Sequence, residues 1–550
     1  MHWILDDLVS GRAVEAFAKA PFDRLVLPHV TNLVFWITDD HNSGYTDQLD
    51  ETQYAQVFCE QIRRMFPNAQ GCDIAKFQVL DSYREKPLIR ALTSGLFSDK
   101  SSIHAPYLGS SNNLAVPDSI ANLSSIMLTY TNTDSPMNEV IRRNASTLKF
   151  VHLVGKNASA FQNLIINESG IPVVYPRVQT LKLNMYANPD PLQISTYDSP
   201  SVHPFPQLCL LECCGGYPFD NDILFRGNEE TLQVLRIEVY PNTIKSIKQS
   251  IYPHIPLLKS LRVVGITQGE DSDETITEEA VQLLFALSRY ANIVQGGDID
   301  ARLSQMQISV DEIGRYVKTL DIAYLELTMS TMLRVIKSLP LLRLLYVGLE
   351  PTPELYGADR SHDSCLGECR YKWEQLKETM GDNLDIQSSR RDDSDGGSVH
   401  SVDSYHRHHR SSFGQQSFLL DYLLSHLDAI CTDMGIMDDI YSQYYPLSES
   451  LVVVDCSSHD DDYMPACRMF VILALLCPRL EVIDTSAGSL VLIDAPADDC
   501  GNGGIIEKWN IRSYEAYARL SARLGAQATA AQPTHDQSDQ SIRNHHHQQA

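Results

Sequence analysis

Positive charge is scarce in this sequence. Lysine and arginine number 44 against 70 aspartates and glutamates, a formal net charge of −26. Phosphate binding needs a basic face, so this balance argues against nucleic acid and against anionic membrane surfaces as partners. Much of the excess acid sits in EDSDET, RRDDSDGG and HDDDY, which read as solvated loops. Long apolar runs are missing too. The longest, MFVILALLC at 469–477, is about half of what a bilayer-spanning helix requires. The opening MHWILDDLVSGRAVEAF has neither the basic first region nor the continuous apolar stretch of a secretory signal. Cysteine is dilute, 12 in 550 residues, and its spacings suggest no disulfide framework. These absences point to an intracellular protein, cytoplasmic or nuclear, with no membrane partner. The sequons at Asn122, Asn144, Asn157 and Asn167 are then expected to carry no glycan.

Signatures of chemistry are also wanting. There is no P-loop, no G-x-G-x-x-G after a strand and no G-x-S-x-G elbow. Cys365 and Cys369 of CLGEC, with His406, His408 and His409 of HRHH, do not follow a zinc-site spacing. DDSDGG lacks the closing glutamate of a calcium loop. The reading therefore assigns no catalytic residue, no cofactor and no metal ligand.

What the sequence does contain is a repeat. The frame apolar-x-x-apolar-x-apolar occurs about eleven times. It appears as LSSIML at Leu123, LKFVHL at Leu148, VQTLKL at Val178, LCLLEC at Leu208, LQVLRI at Leu232 and LKSLRV at Leu258. Further copies start at Val30, Ala69, Val317, Leu342 and Leu480, and another hides in IVQGGD at Ile293. Between Leu123 and Leu258 the step is roughly 24–30 residues, the range of leucine-rich repeats. Proline precedes many copies, in FPNA, YPRV, FPQL, IPLL, LPLL and CPRL. It stops a preceding helix and suits the start of an exposed strand. Segments with helical spacing lie between copies: SPMNEVIRRN, NTIKSIKQSIYPHI, TITEEAVQLLFALSRYAN and TMSTMLRVIKSL.

Strand followed by helix, repeated, predicts an α/β leucine-rich-repeat solenoid, an irregular horseshoe with a parallel concave sheet and convex helices. A doubly wound α/β domain also alternates strands and helices. Its strands would be covered on both faces and apolar throughout. Here the in-between positions carry Lys182, Glu212, Arg236, Arg262 and Asp321, so one face reads as wet. The asparagine or cysteine expected three positions after the last apolar residue of each frame is missing, which predicts irregular curvature.

Four regions follow. Residues 1–386 hold the N-terminal and central repeats. Residues 387–416 are too polar to bury surface and read as a disordered insert. Residues 417–525 carry the last repeats and a C-terminal capping helix, and 526–550 a disordered tail.

Side chains alternate along a strand. The residue between the second and third apolar positions of each frame therefore points outward. This gives Val34, Asp73, Met127, His152, Lys182, Glu212, Arg236, Arg262, Asp321, Tyr346 and Asp484. The candidate partner-binding face comprises Trp36, His152, Lys182, Glu212, Arg236, Arg262, Asp321 and Tyr346, with Trp36 and Tyr346 as aromatic anchors. The competing reading is that these charges only satisfy one another across strands.

The proline-led copies, the helix–strand spacing and the closing LLCPRLEVID resemble the F-box/leucine-rich-repeat-like proteins of some early-diverging fungi. That resemblance implies a substrate-holding repeat array, with a Skp-type adaptor and a cullin as partners through an F-box. The F-box itself is not seen in this chain. Only WILDDLVSGRAVEAFAKAPF precedes the first repeat-like strand, so the module is expected to be either missing or upstream. Two further readings stand beside this one: a GTPase-activating regulator of leucine-rich-repeat type, and a degenerate α/β enzyme.

Overall fold

The structure, a computed structural model, describes residues 2–4, 25–38, 51–78, 91, 94–105, 120–129, 137–155, 158, 161, 164–167, 173–185, 203–269, 274–350, 446–456, 473, 474, 476–485 and 488–491. The chain forms two compact units, one of residues 1–299 and 312–317, the other of 300–311 and 318–550.

The first unit contains β1 (His2–Ile4), β2 (Asn32–Thr38), α1 (Glu51–Met65), β3 (Gly71–Gln78), β4 (Ser102–Ala105), β5 (Ser125–Thr129), α2 (Met137–Arg143) and β6 (Phe150–Gly155). It continues with β7 (Thr180–Met185), β8 (Leu210–Cys214), β9 (Val234–Val239), α3 (Ile244–Ile251), β10 (Val263–Gln268), α4 (Glu274–Leu287) and β11 (Ile293–Gly297). Each strand pairs in parallel with the next strand in the chain, from β1 to β11. Among the described strands of this unit the order never reverses, so it lacks the switch point of a doubly wound sheet.

The second unit contains β12 (Ala301–Arg302), β13 (Thr319–Leu327), α5 (Met329–Ser338), β14 (Leu344–Leu349), β15 (Val453–Cys456), β16 (Val482–Thr485) and β17 (Gly488–Val491). Strands β12 to β16 pair in parallel in chain order, and β17 is antiparallel to β16. The class is α/β with a long parallel sheet, as the repeat predicts.

The three apolar positions of the frame build the core. Leu148, Val151 and Leu153, then Val178, Leu181 and Leu183, then Leu232, Leu235 and Ile237 are each at most 1% exposed. Complete burial of such a side chain stabilises by about 1.5–3 kcal/mol. The intervening residues are half-buried or exposed, and β7 alternates along its whole length. One face of the sheet is packed and the other is open.

The helical segments expected ahead of Leu148, Leu258, Ile293 and Leu342 are α2, α3, α4 and α5. Helix α1 and strands β1, β4 and β12 are not anticipated by the repeat. The rule that every strand is followed by a helix fails between β8 and β9. That connection, all of it described, runs through turns without an α-helix. The insert at 387–416, the tail at 526–550, the capping helix, and Cys365, Cys369, His406, His408 and His409 lie outside the described residues.

Proline does a different job from the one expected. In six copies it is the second residue of a β-turn that delivers the chain to the first apolar position. The turns close through hydrogen bonds from the backbone N–H of Val30 to Leu27 O (3.3 Å), Ala69 to Phe66 O (3.1 Å), Val178 to Tyr175 O (3.3 Å), Leu208 to Phe205 O (3.1 Å), Leu342 to Leu339 O (3.0 Å) and Leu480 to Cys477 O (3.0 Å). Pro28, Pro67, Pro176, Pro206, Pro340 and Pro478 have their φ pre-set for this position. The aromatic residues before two of these prolines, Tyr175 and Phe205, stack at 5.2 Å in the core.

Two other copies enter their strand through a buried asparagine, in NASTL and NEETL. The N–H of Leu148 donates to Asn144 O at 3.0 Å, and that of Leu232 to Asn228 O at 2.9 Å. The Asn144 side chain is fully used. Its Oδ1 accepts from Leu123 N at 2.9 Å, and its Nδ2 donates to Val140 O at 2.8 Å and Ile120 O at 3.2 Å. It therefore ties one copy to the preceding one.

Candidate functional site

Backbone register decides which side chains line up across a sheet. In the first unit one row on the open face runs Val34, Asp73, His104, Met127, His152, Lys182, Glu212, Arg236, Gly265 and Gln295, one residue from each of β2 to β11. The outward positions read from the frame in β2, β3 and β5 to β9 fall in this row.

Arg262 does not. It stands one residue before β10, where its carbonyl accepts from the N–H groups of Asn292 (2.8 Å) and Ile293 (3.0 Å). The row position in β10 is Gly265. The segment LKSLRVVGI satisfies the frame twice, from Leu258 and from Leu261. Pairing with β9 selects the second, which buries Val264 and Ile266 and leaves Val263 half-buried on the open face. His104 is missed because Lys100 takes the first apolar position of its copy, and Gln295 because Gly296 takes the last of its own.

Trp36 lies in β2 in register with Lys76, past an irregularity that separates it from Phe35. In the second unit the corresponding row is Asp321, Tyr346, Asp455 and Asp484. Burial pushes the Asp321 carboxyl above its ordinary value. The charge of Asp455 adds to this, and a hydrogen bond from the Ala323 backbone partly offsets it.

A second row on the open face of the first unit lies two residues earlier. It reads Ser102, Ser125, Phe150, Thr180, Leu210, Val234, Val263 and Ile293. Its later half is entirely apolar, and Ile293 is 36% exposed. The third position of each frame encodes this row, and its apolar character is legible in the sequence once the register is known.

The two rows make a surface that is mostly polar up to β7 and carries an apolar flank from β8 to β11. The Phe150 ring lies 6.1 Å from that of His104 and meets His152 edge-on at 6.5 Å. Lys182 Nζ and Glu212 Oε2 form a half-buried ion pair at 2.8 Å across β7 and β8. Burial lowers the pKa of His152, the charge of Lys182 adds to this, and Glu212 acts against it. Burial also raises the Asp73 carboxyl, which His104 partly offsets. Arg236 is exposed and pairs with no carboxylate among the described residues. At the far end of β9, Glu238 accepts from the Gly215 N–H and from Tyr240 Oη, the latter at 2.7 Å.

Two features come near to reaction chemistry. His104 Nε2 is 3.0 Å from Ser125 Oγ. Asp73 stands beside His104 in register but makes no hydrogen bond to its ring. The neighbouring N–H groups of β4 to β6 are engaged in the sheet, so no oxyanion donors converge there. The second feature is the Cys213–Cys214 pair. Burial, reinforced by Glu212 and Glu238, pushes the Cys214 thiol up to about 11. Cys213 is pushed well above the ordinary value, first by burial. Neither is a thiolate nucleophile at neutral pH. No group of His, Cys, Asp and Glu that could hold a metal ion occurs among the described residues. No helix among them is long and apolar enough to cross a membrane.

No protein-family model matches the chain, and no curated protein matches it.

Proposed function

We propose that this chain is a non-enzymatic recognition scaffold of leucine-rich-repeat type, which holds a protein partner on the open face of its parallel sheet. The observation that supports this most is the pair of rows in the first unit. A row that is polar from Asp73 to Arg236, broken by Met127, meets an apolar stripe from Leu210 to Ile293 at Glu212 and Arg236. Interfaces combine an apolar centre with polar groups that set register and specificity. Arg236 is the anchor of this reading, because interface hot spots favour arginine. The finer reading follows the family resemblance: the partner is a substrate delivered to a ubiquitin ligase through a Skp-type adaptor and a cullin.

The test is co-purification of the tagged full chain from its native lysate, compared with K182E and R236E variants. Partners present with the native chain and lost from both variants support recognition by the open face. An identical partner set in all three overturns it. Recovery of the Skp-type adaptor and a cullin supports the ligase role, and their absence removes it.

A second reading has one observation behind it, the contact between His104 and Ser125. A hydrolase would label at Ser125 with a fluorophosphonate probe, and lack of labelling ends that reading.

A further inference from the structure

The turns that precede β10 and β11, and the one at 314–317, form a second surface of the first unit, at the start of the strands. In this acidic chain it is basic. Lys259, Arg262, Arg289 and Arg315 are all exposed. None of the four pairs with a carboxylate among the described residues, and Glu312 is the exposed acid in the same stretch.

These turns are neighbours. Asn292 and Ile293 donate their backbone N–H groups to Arg262 O. The Gly314 N–H donates to the buried Ser288 Oγ at 2.9 Å. Gly314 packs so closely that a Cβ there would come within 2.7 Å of Arg289 Cα. The Arg289 guanidinium lies 5.4 Å over the Tyr290 ring. Large apolar groups stand exposed among the cations, Leu257 at 52% and Tyr316 at 56%, and Ile293 at 36% marks the border with the open sheet face.

We infer that this turn edge docks an acidic peptide segment of a protein partner, one that also carries aromatic or aliphatic side chains. Arginine and tyrosine grouped with exposed aliphatics have the composition of interface hot spots. The local sign selects an acidic ligand. The chain's overall sign separates a short peptide from a polyanion. A net charge of −26 repels a long nucleic acid or an anionic bilayer along its whole extent. A peptide confined to the edge feels mainly charges within a Debye length of about 8 Å.

The experiment is selection of short random peptides displayed on phage against the full chain. Synthetic copies of the enriched sequences are then measured by fluorescence anisotropy. Enriched peptides are expected to be acidic with aromatic or aliphatic residues, and to weaken at least about tenfold for K259E/R262E/R289E/R315E. They are expected to bind R236E as they bind the native chain, which separates this surface from the open sheet face. If the quadruple variant does not fold, judged by circular dichroism, K259E/R262E and R289E/R315E are read separately. Salt dependence on the native chain gives an independent reading. The inference is overturned if no peptide enriches, if enriched peptides are not acidic, or if their binding ignores charge reversal and salt. Tighter binding of a uridine oligonucleotide or of phosphatidylserine vesicles overturns it as well.

Discussion

Arg236 lies across Gly265. A Cβ on Gly265 would stand 3.1 Å from Arg236 Cγ and 3.8 Å from its Cδ, so the missing side chain in β10 is the space that the arginine stem occupies. The stem is flexible and can give way. Gly265→Ala should therefore leave stability within about 0.5 kcal/mol of the native chain. Gly314→Ala should behave differently, because its Cβ would meet the rigid backbone of Ser288 and Arg289. It should cost about 1–3 kcal/mol. Urea denaturation of the two variants checks the contrast, and equal effects would contradict it.

Asn144 and Asn228 occupy equivalent places but carry different loads. Removing the Asn144 side chain strands Leu123 N and Ile120 O in a buried setting, whereas Val140 O keeps the backbone N–H of residue 144 at 3.1 Å. Asn144→Ala should cost about 2–4 kcal/mol, since each stranded group costs roughly 1–3. Asn228 makes one side-chain bond, from Nδ2 to Leu224 O at 3.0 Å, and its Oδ1 has no partner. Asn228→Ala should cost about 1 kcal/mol. The order of the two denaturation midpoints is the readout.

His152 sets a pH dependence whose sign follows from its surroundings. Its pKa is lowered from 6.5 by burial and then by Lys182, so the unfolded chain takes up the proton at higher pH than the folded one. Stability from this group is complete above the unfolded value. It is lost as pH falls below 6.5 towards the folded pKa. Asp222 has a depressed carboxyl: burial alone would raise it, but hydrogen bonds and charges from Arg226 and His254 outweigh that. Its contribution is present above 3.8 and lost only as pH falls below that value. His152→Gln should flatten the first loss and leave the second. Thermal midpoints across a pH series would show this.

Three cysteines, two buried and one half-buried, should resist alkylation. The thiols of Cys59 and Cys72 are pushed up to about 12 and that of Cys214 to about 11, chiefly by burial. At pH 8 the folded chain should take up iodoacetamide at none of these three, whereas urea should expose all of them. Peptide mass spectrometry reads the sites directly.

A good part of this architecture was legible before any coordinates. The three apolar positions of the frame mark the buried face, because strand side chains alternate and a slip of one residue would put them in water. The outward residues of β5 to β9 follow from the same alternation. The open face could be anticipated from charge at those positions, since a sheet covered on both sides would not carry it. The β4 copy hid because Lys100 stands at its first apolar position, and the copy at Ile293 is weakly marked because Gly296 stands at its last. Strand β1 escaped because a three-residue strand has no period of its own to read.

By itself, then, the sequence determined the repeat, the class of the fold and which side of most strands faces the core, since alternation and burial are local properties of each copy. Tertiary structure decided the register between copies. Leu258 and Leu261 each begin a valid frame, and only the hydrogen bonds from β10 to β9 and β11 put Gly265 in line with Arg236 and send Arg262 to the turn edge. It also decided that the cations of separate turns share one surface. Lys259, Arg289 and Arg315 are far apart in the chain, and what gathers them is the packing of turn on turn, from Ile293 N–H to Arg262 O and from Gly314 N–H to Ser288 Oγ, which no single copy encodes.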